Sequence, residues 1–242
     1  MTAAQAFNAL AASYDRCWTR APIGRLQREA FWRHAAPYFT NARRVLDLGC
    51  GTGEDALRLI RSGISVYAID ASPEMVSIAR ARGVDARVLA IEQAGSLNEN
   101  FDVVLSNFGA LNCVADLAKI PFARLLKPGG YAVLCLLGRF CLWETIWFLL
   151  HADPRRAARR WRGRDTTRGG FPIFYHRPRA AQLSAELSLV AQAGIGLAVP
   201  PSYMGRVPDS LLRAAARLDR HLAARPLFRS IADHTLFIFK RS

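Results

Sequence analysis

Lysine is almost missing from this chain. Of 33 basic residues only Lys119, Lys127 and Lys240 are lysines. Nucleotide bias in coding DNA produces arginine- and alanine-rich sequences of this kind, so a formal charge of +14 is not in itself evidence for a polyanionic partner. The five cysteines (Cys17, Cys50, Cys113, Cys135 and Cys141) are odd in number and form no CxxC pair. That excludes a disulfide framework and a cysteine zinc site, and it fits a reducing, cytoplasmic setting. No cluster of His, Cys and acidic residues has metal-ligand spacing, so no metal is expected. The richest apolar stretch, Phe140 to Leu150, has nine apolar residues in eleven and falls well short of the ~20 needed to span a bilayer. The N-terminus, MTAAQAFNALAASYDR, lacks the basic region and continuous apolar stretch of a secretory leader, and none is expected. Repeats and low-complexity linkers are absent.

What is present is enough for one large core. The 242 residues are 51% hydrophobic and 21% charged, which suits a single globular domain with an embellishment. Charge is unevenly spread: residues 41–138 carry ten basic and ten acidic side chains, whereas residues 139–200 carry ten arginines against four acids.

From residue 44 to residue 138 short apolar runs alternate with helical patterns, the signature of βα units on a parallel sheet. Val45 to Leu48 is a strand, and Leu57 and Ile60 recur at helical spacing up to Gly63. Ser65 to Ile69 is the next strand, ending at Asp70. Ser72 then reads as an N-cap with Pro73 in the first helical position, and Met75, Ile78 and Ala79 share a face before Gly83. Arg87 to Ile91, Phe101 to Asn107 and Tyr131 to Leu137 are the third, fourth and fifth strands, the last entered through the turn KPGG. Beyond it the spacing predicts a buried or interfacial helix over 140–150 and a short arginine-rich helix over 155–162 capped by Asp153. A helix near 180–187 and a strand near 189–199 follow. Next comes an amphipathic helix aligning Leu211, Ala215, Leu218 and Leu222, and Thr235 to Phe239 forms a final strand.

The chemistry is concentrated in VLDLGCGTGEDA, where Gly49, Gly51 and Gly53 join the first strand to the first helix. Bare backbone there permits a tight turn and close approach of a ligand. The string GTGEDA also satisfies a dinucleotide pattern, but a pyrophosphate favours a helix N-terminus free of anions, and this turn is flanked by Asp47, Glu54 and Asp55. Those acids suit a ligand with cationic groups. S-adenosylmethionine has a sulfonium and an ammonium against one carboxylate, and Asp70 can accept from its ribose hydroxyls.

Four segments, AFNALAASYDR, VLDLGCGTG, YAIDASPEMVSIAR and FDVVLSNFGALNCV followed by LLKPGG, together resemble the class I S-adenosylmethionine-dependent methyltransferases. The resemblance is to the small-molecule branch related to ubiquinone and menaquinone biosynthesis, and it covers about residues 6–138. It implies an α/β, Rossmann-like mixed sheet of seven strands in the order 3-2-1-4-5-7-6, the last antiparallel, with helices on both faces. Residues 1–40 would form lid helices, 41–138 the cofactor-binding core, 139–180 a helical cap over the acceptor and 181–242 the end of the sheet. Carried over residue by residue, Gly49, Gly51 and Gly53 would line the methionine and ribose, Asp70 the ribose, and Ala71 and Met75 the adenine. Tyr14 would close over the cofactor, and Ser106, Asn107 and Phe108 would face the methyl group. Where relatives often place an acid against the adenine amine, this chain reads LAIEQ, so either Ile91 occupies that place or Glu92 has moved into it.

Methyl transfer to an activated carbon gains most from orientation and desolvation, so a base is optional. For a hydroxyl acceptor His176, in FPIFYHRPR, is the first candidate and His151 the second. The run FCLWETIWFLL followed by six arginines between Arg155 and Arg164 points to a small lipophilic or aromatic acceptor and to an anionic surface, a membrane headgroup layer, acidic carrier or anionic substrate. A nucleic-acid substrate is disfavoured, because the arginines lie outside the core and SNFG replaces the NPPY-like tetrapeptide. A nicotinamide oxidoreductase is disfavoured by the acids around the glycines.

Overall fold

The apolar runs assemble, in a computed structural model describing residues 1–167, 170–202 and 207–242, around a central strand β1 (Arg44–Leu48). It pairs in parallel with β2 (Ser65–Asp70) and β4 (Phe101–Ser106), Val45 standing opposite Val66 on one side and Val103 on the other. β3 (Asp85–Val88) extends the sheet beyond β2, and β5 (Leu126–Leu137) beyond β4. A short hairpin, β6 (Arg164–Thr166) with β7 (Pro172–Phe174), stands apart from it. The last two strands, β8 (Leu187–Ile195) and β9 (His234–Arg241), close the far edge, β9 running antiparallel to both β5 and β8. The order β3-β2-β1-β4-β5-β9-β8 is the expected 3-2-1-4-5-7-6 with the hairpin set aside.

Alternation along the strands divides the core in two. Val45, Val103, Val133 and Ile238 pack under α2 (Pro22–Ala35), α3 (Glu54–Arg61) and α4 (Pro73–Ala81), meeting Phe31, Leu59 and Val76. Leu46, Leu48, Val104 and Leu134 face Ile91, Leu111 and Ile120, together with α5 (Phe122–Leu125) and Leu183 of the one-turn α8 (Ala180–Leu183). The N-terminal α1 (Ala3–Tyr14) opens with a capping box, Thr2 accepting from the Gln5 amide. Between β5 and the hairpin lie α6 (Leu142–Leu150) and α7 (Pro154–Ala157). Between β8 and β9 lie α9 (Asp209–Leu222) and α10 (Pro226–Arg229).

Several expected boundaries move. The third strand is Asp85–Val88, not 87–91, because an edge strand that buries only Ala86 leaves little apolar signal; Ile91 instead opens a 3-10 turn onto the sheet face. β5 begins at Leu126, since a register shift between Phe101 and Val103 absorbs the KPGG residues. The helix near 180–187 is a single turn, and β8 starts and ends earlier than expected. The 155–162 helix breaks after Ala157 into a 3-10 turn. On α9 the expected apolar face is only partly covered: Leu211 and Leu218 are 60% and 50% exposed, Ala215 packs against the Ile23–Val199–Leu212 cluster and Leu222 is half-buried, while Leu212 and Asp219 are buried. Asp219 sets that rotation by accepting from the Ala198 and Val199 amides at 2.6 and 3.3 Å.

Candidate cofactor and acceptor site

The β1–α3 turn takes Gly49, Gly51 and Gly53 through left-handed backbone at φ of 76°, 53° and 81°. The three are not equivalent. A Cβ on Gly49 would lie 2.3 Å from the Ala110 Cβ, so that glycine serves packing, whereas a Cβ on Gly51 would meet nothing within 4 Å. Gly51 therefore keeps an open side for a ligand. Asp70 ties the turn to the β2–α4 loop: its two oxygens accept from the Gly51 amide at 2.9 Å and the Ser72 amide at 2.8 Å. Burial pushes its carboxyl up, against the pull of those two hydrogen bonds. Ser72 caps α4 as expected.

Asp47 is 2% exposed, and its Oδ2 has no hydrogen-bond partner. Burial, reinforced by the Asp55 and Asp70 charges and opposed by Arg28, raises its carboxyl well above the ordinary range. Arg28 of α2 is the complementary case. One of its terminal nitrogens pairs with Asp55, but its Nε is buried without a partner. An orphaned carboxylate oxygen and an orphaned guanidinium N–H within electrostatic reach of each other match the ammonium and carboxylate of an α-amino acid. S-adenosylmethionine carries that group, so the residues present fit it. Tyr14 belongs to the same neighbourhood: burial raises its phenol, with Arg28 opposing and Asp70, Asp15 and Asp55 adding to the rise.

Asp55, expected to attract a cationic ligand, is instead occupied by Arg28, by Trp32 Nε1 at 2.8 Å and by Asn107 Nδ2 at 2.9 Å. Glu54 stands 3.9 Å from Arg82. Ser106 does not offer its hydroxyl to a ligand: it is fully buried and donates to the Leu48 carbonyl at 2.8 Å, tying β4 to β1. Asn107 is likewise engaged, its Oδ1 accepting from the Phe108 amide at 2.9 Å. Phe108 sits at φ 47°, uncommon for a bulky side chain, and is followed by Gly109 at φ 88°. Its ring is held by Phe31 at 6.0 Å, by His234 at 5.3 Å edge to face, and beneath the Arg28 guanidinium at 4.9 Å. Met75 is buried and Ala71 exposed. Of the two residues in LAIEQ, Ile91 flanks the glycine turn, its Cδ1 3.3 Å from a Cβ placed on Gly49, whereas Glu92 is exposed on the 3-10 turn. Burial pushes the Cys113 thiol up to about 12 and the Cys50 thiol well above its usual value, so neither is a thiolate at neutral pH.

His176 is half-buried, with Nε2 2.7 Å from the Val114 carbonyl. A carbonyl can only accept, so Nε2 carries the proton and Nδ1 is the basic nitrogen. Burial lowers its pKa, opposed by that hydrogen bond and by Asp116. His151 instead stacks on Trp147 at the exposed end of α6. Residues 171–176 lie against the segment after β4, Asn112 Nδ2 donating to the Phe174 carbonyl at 2.7 Å, and Phe171 meets Phe7 of α1 at 5.7 Å. Sequence reasoning missed Arg28, which carries no motif. It also missed the role of Asp15, which accepts from Thr52 Oγ1 at 2.7 Å and pairs with Arg82, latching the end of α1 to the glycine turn.

A parallel sheet with an antiparallel penultimate strand, bearing a glycine turn and an acid after the second strand, defines the class of S-adenosylmethionine-dependent methyltransferase folds. Residues 45–130 match the family described as a methyltransferase domain. A ubiquinone biosynthesis O-methyltransferase of Xanthomonas oryzae pv. oryzae is 36% identical over 104 residues, covering 40% of this chain and 44% of that protein. A demethylmenaquinone methyltransferase of Tropheryma whipplei is 36% identical over 141 residues, 53% of this chain and 56% of that protein. The chain thus spans about half the length of the curated relatives it matches. Among solved structures, an S-adenosylmethionine-dependent methyltransferase of Thermotoga maritima superposes with a TM-score of 0.62 at 17% identity, covering 99% of both chains, which establishes the fold.

Proposed function

We propose that this chain transfers the methyl group of S-adenosylmethionine to a small lipophilic or aromatic acceptor. The observation that carries the cofactor is the pair of orphaned groups, Asp47 Oδ2 at the end of β1 and Arg28 Nε of α2, together with the open Cβ position of Gly51 in the turn that follows β1. Asp47 would hold the ammonium, Arg28 the carboxylate and Asp70 the ribose hydroxyls, with Ile91 at the adenine side and Tyr14 closing the pocket. Bound there, the cofactor supplies an electrophilic methyl carbon on a sulfonium. The chain's own contribution is to orient the acceptor and exclude water, for which residues 139–180 would serve as the cap. For a hydroxyl acceptor His176 would take the proton at Nδ1. Oxygen is the preferred acceptor atom, then carbon, then nitrogen.

The names of the similar proteins, acting in ubiquinone and menaquinone biosynthesis, support a lipophilic ring acceptor, and the chain is proposed to work in the cytoplasm. A nicotinamide pyrophosphate at the α3 N-terminus would face Asp47 and Glu54, which disfavours that alternative. A nucleic-acid substrate gains nothing from the cap arginines that are tied up internally, Arg159 and Arg160 both pairing with Glu144. Titration calorimetry with S-adenosylhomocysteine tests the reading. Wild type is expected to bind, and Asp70→Ala to bind about ten- to a hundredfold more weakly, the loss of a charge-assisted hydrogen bond of about 1.5–3 kcal/mol. Equal affinities, or tight NADH binding instead, would reverse the assignment.

A further inference from the structure

Helix α6 is built inside out. Its acid, Glu144, is 1% exposed, gripped by Arg160 at 2.8 Å and by Arg159, and Arg160 in turn reaches Asp233 at 2.7 Å. The solvent side carries Trp143, Ile146, Trp147 and Leu150, which recur at the i, i+3, i+4, i+7 spacing of one helical face and are all exposed, Leu150 by 78%, with Trp143 Nε1 also donating to the Ala198 carbonyl at 3.1 Å. Leu149 and, beyond α7, Trp161 add to the exposed apolar surface. A soluble helix normally turns such a stripe inward. Here the ion cluster fixes the rotation, because turning α6 over would break the ion pairs of Glu144 with Arg159 and Arg160.

The segment that carries the stripe is positive on its exposed surface, α7 flanking α6 on the Phe148 side. Arg139, Arg155, Arg156, Arg162 and Arg164 are exposed, and α7 packs beside α6 with Arg156 within 5.9 Å of the Phe148 ring. We propose that α6 and its arginine rim form a docking surface for an anionic phospholipid bilayer, with the stripe seated at the headgroup boundary. Tryptophans among aliphatic side chains with arginines beside them are the composition of an interfacial segment. A second copy of this chain fits poorly. A twofold contact would set the same arginines against each other, whereas phosphate headgroups neutralise them. The proposal goes beyond the methyltransferase reading and would deliver a lipophilic acceptor to a cap that already lies on the membrane.

The test uses the full chain with vesicles of phosphatidylcholine alone or mixed with phosphatidylglycerol, without cofactor or acceptor, so its failure leaves the methyltransferase reading untouched. Cosedimentation is expected with the anionic vesicles, weakening at high salt, together with a blue shift of tryptophan emission. The pair Ile146→Ser, Leu150→Ser is expected to lower the partition coefficient at least tenfold. Arg155→Gln with Arg162→Gln is expected to lower it roughly fivefold per charge removed. Both pairs alter exposed side chains, and an unchanged thermal transition verifies that they fold. Absence of binding to anionic vesicles, equal binding by the variants, or a stable dimer that the Ser pair dissolves would overturn the proposal, as would binding to RNA in place of vesicles.

Discussion

Asp47 is the residue at which function and stability conflict. A buried carboxylate with an unpartnered oxygen destabilises the unliganded fold, and a ligand ammonium would relieve it. Asp47→Asn is therefore expected to raise the stability of the unliganded protein by about 1–3 kcal/mol while lowering affinity for S-adenosylhomocysteine at least ~10-fold. Because the folded-state carboxyl is raised, the folded chain binds that proton more tightly than the unfolded chain. The Asp47 contribution thus favours folding below the ordinary carboxylate range and turns against it as pH rises to the elevated value. Urea titrations of wild type and Asp47→Asn across that window check this: the difference between them should widen with pH. His176 allows a sharper kinetic test. His176→Gln is expected to lower kcat by ~10²-fold or more for a hydroxyl acceptor, leaving cofactor affinity unchanged. The acid limb of the wild-type pH profile should lie below the usual histidine value, since burial lowers its pKa. An unchanged kcat would make His176 a structural support for Val114.

Among the elements, the attachment of residues 139–180 is the most exposed to a single change. Arg160 joins Glu144 of α6 to Asp233 before β9, and it also donates to the Asp233 carbonyl at 2.8 Å. Burial alone would raise the Asp233 carboxyl, but His234 and Arg160 hold it far below the carboxylate range. The stability this confers is present above the ordinary aspartate value and is lost as pH falls through the depressed one. Arg160→Met leaves Glu144 and Asp233 buried without their shared cation and is expected to cost about 3–5 kcal/mol at neutral pH. Denaturant unfolding measures the loss, and limited proteolysis should reveal new cleavage within residues 139–180. Of the two expectations for the richest apolar run, buried or interfacial, the same cluster disposes of the first: α6 is rotated by its acid, not by its leucines.

At the scale of the whole molecule, the stretch that matches the methyltransferase-domain family, residues 45–130, does not close its own sheet. β9 pairs with β5 along seven residues, from Tyr131 opposite Lys240 to Leu137 opposite His234, and supplies Leu236 and Ile238 to one core and Phe237 and Phe239 to the other. A chain ended after Gly138 is therefore expected to show no cooperative unfolding transition by tryptophan fluorescence, because β5 would present an open edge and both core halves would be unroofed. The local code alone determined the β1–glycine–α3 turn, the Ser72 cap and Asp70 at the end of β2. Glycines at positive φ, an N-cap and period-two apolar runs each act within a few residues of chain. Sheet order was not in that local code: it was read from the resemblance to a known fold, and the structure has it. Tertiary structure alone decided that Arg28 stands over Phe108, that Asp55 is paired with a cation while Asp47 Oδ2 has no hydrogen-bond partner, that Ser106 turns into the sheet, and which sides of α6 and α9 are covered. An apolar stripe specifies a helical face but not what that face will meet. Where a buried acid such as Glu144 or Asp219 binds partners distant in sequence, those partners set the rotation of the helix, and no local pattern encodes them.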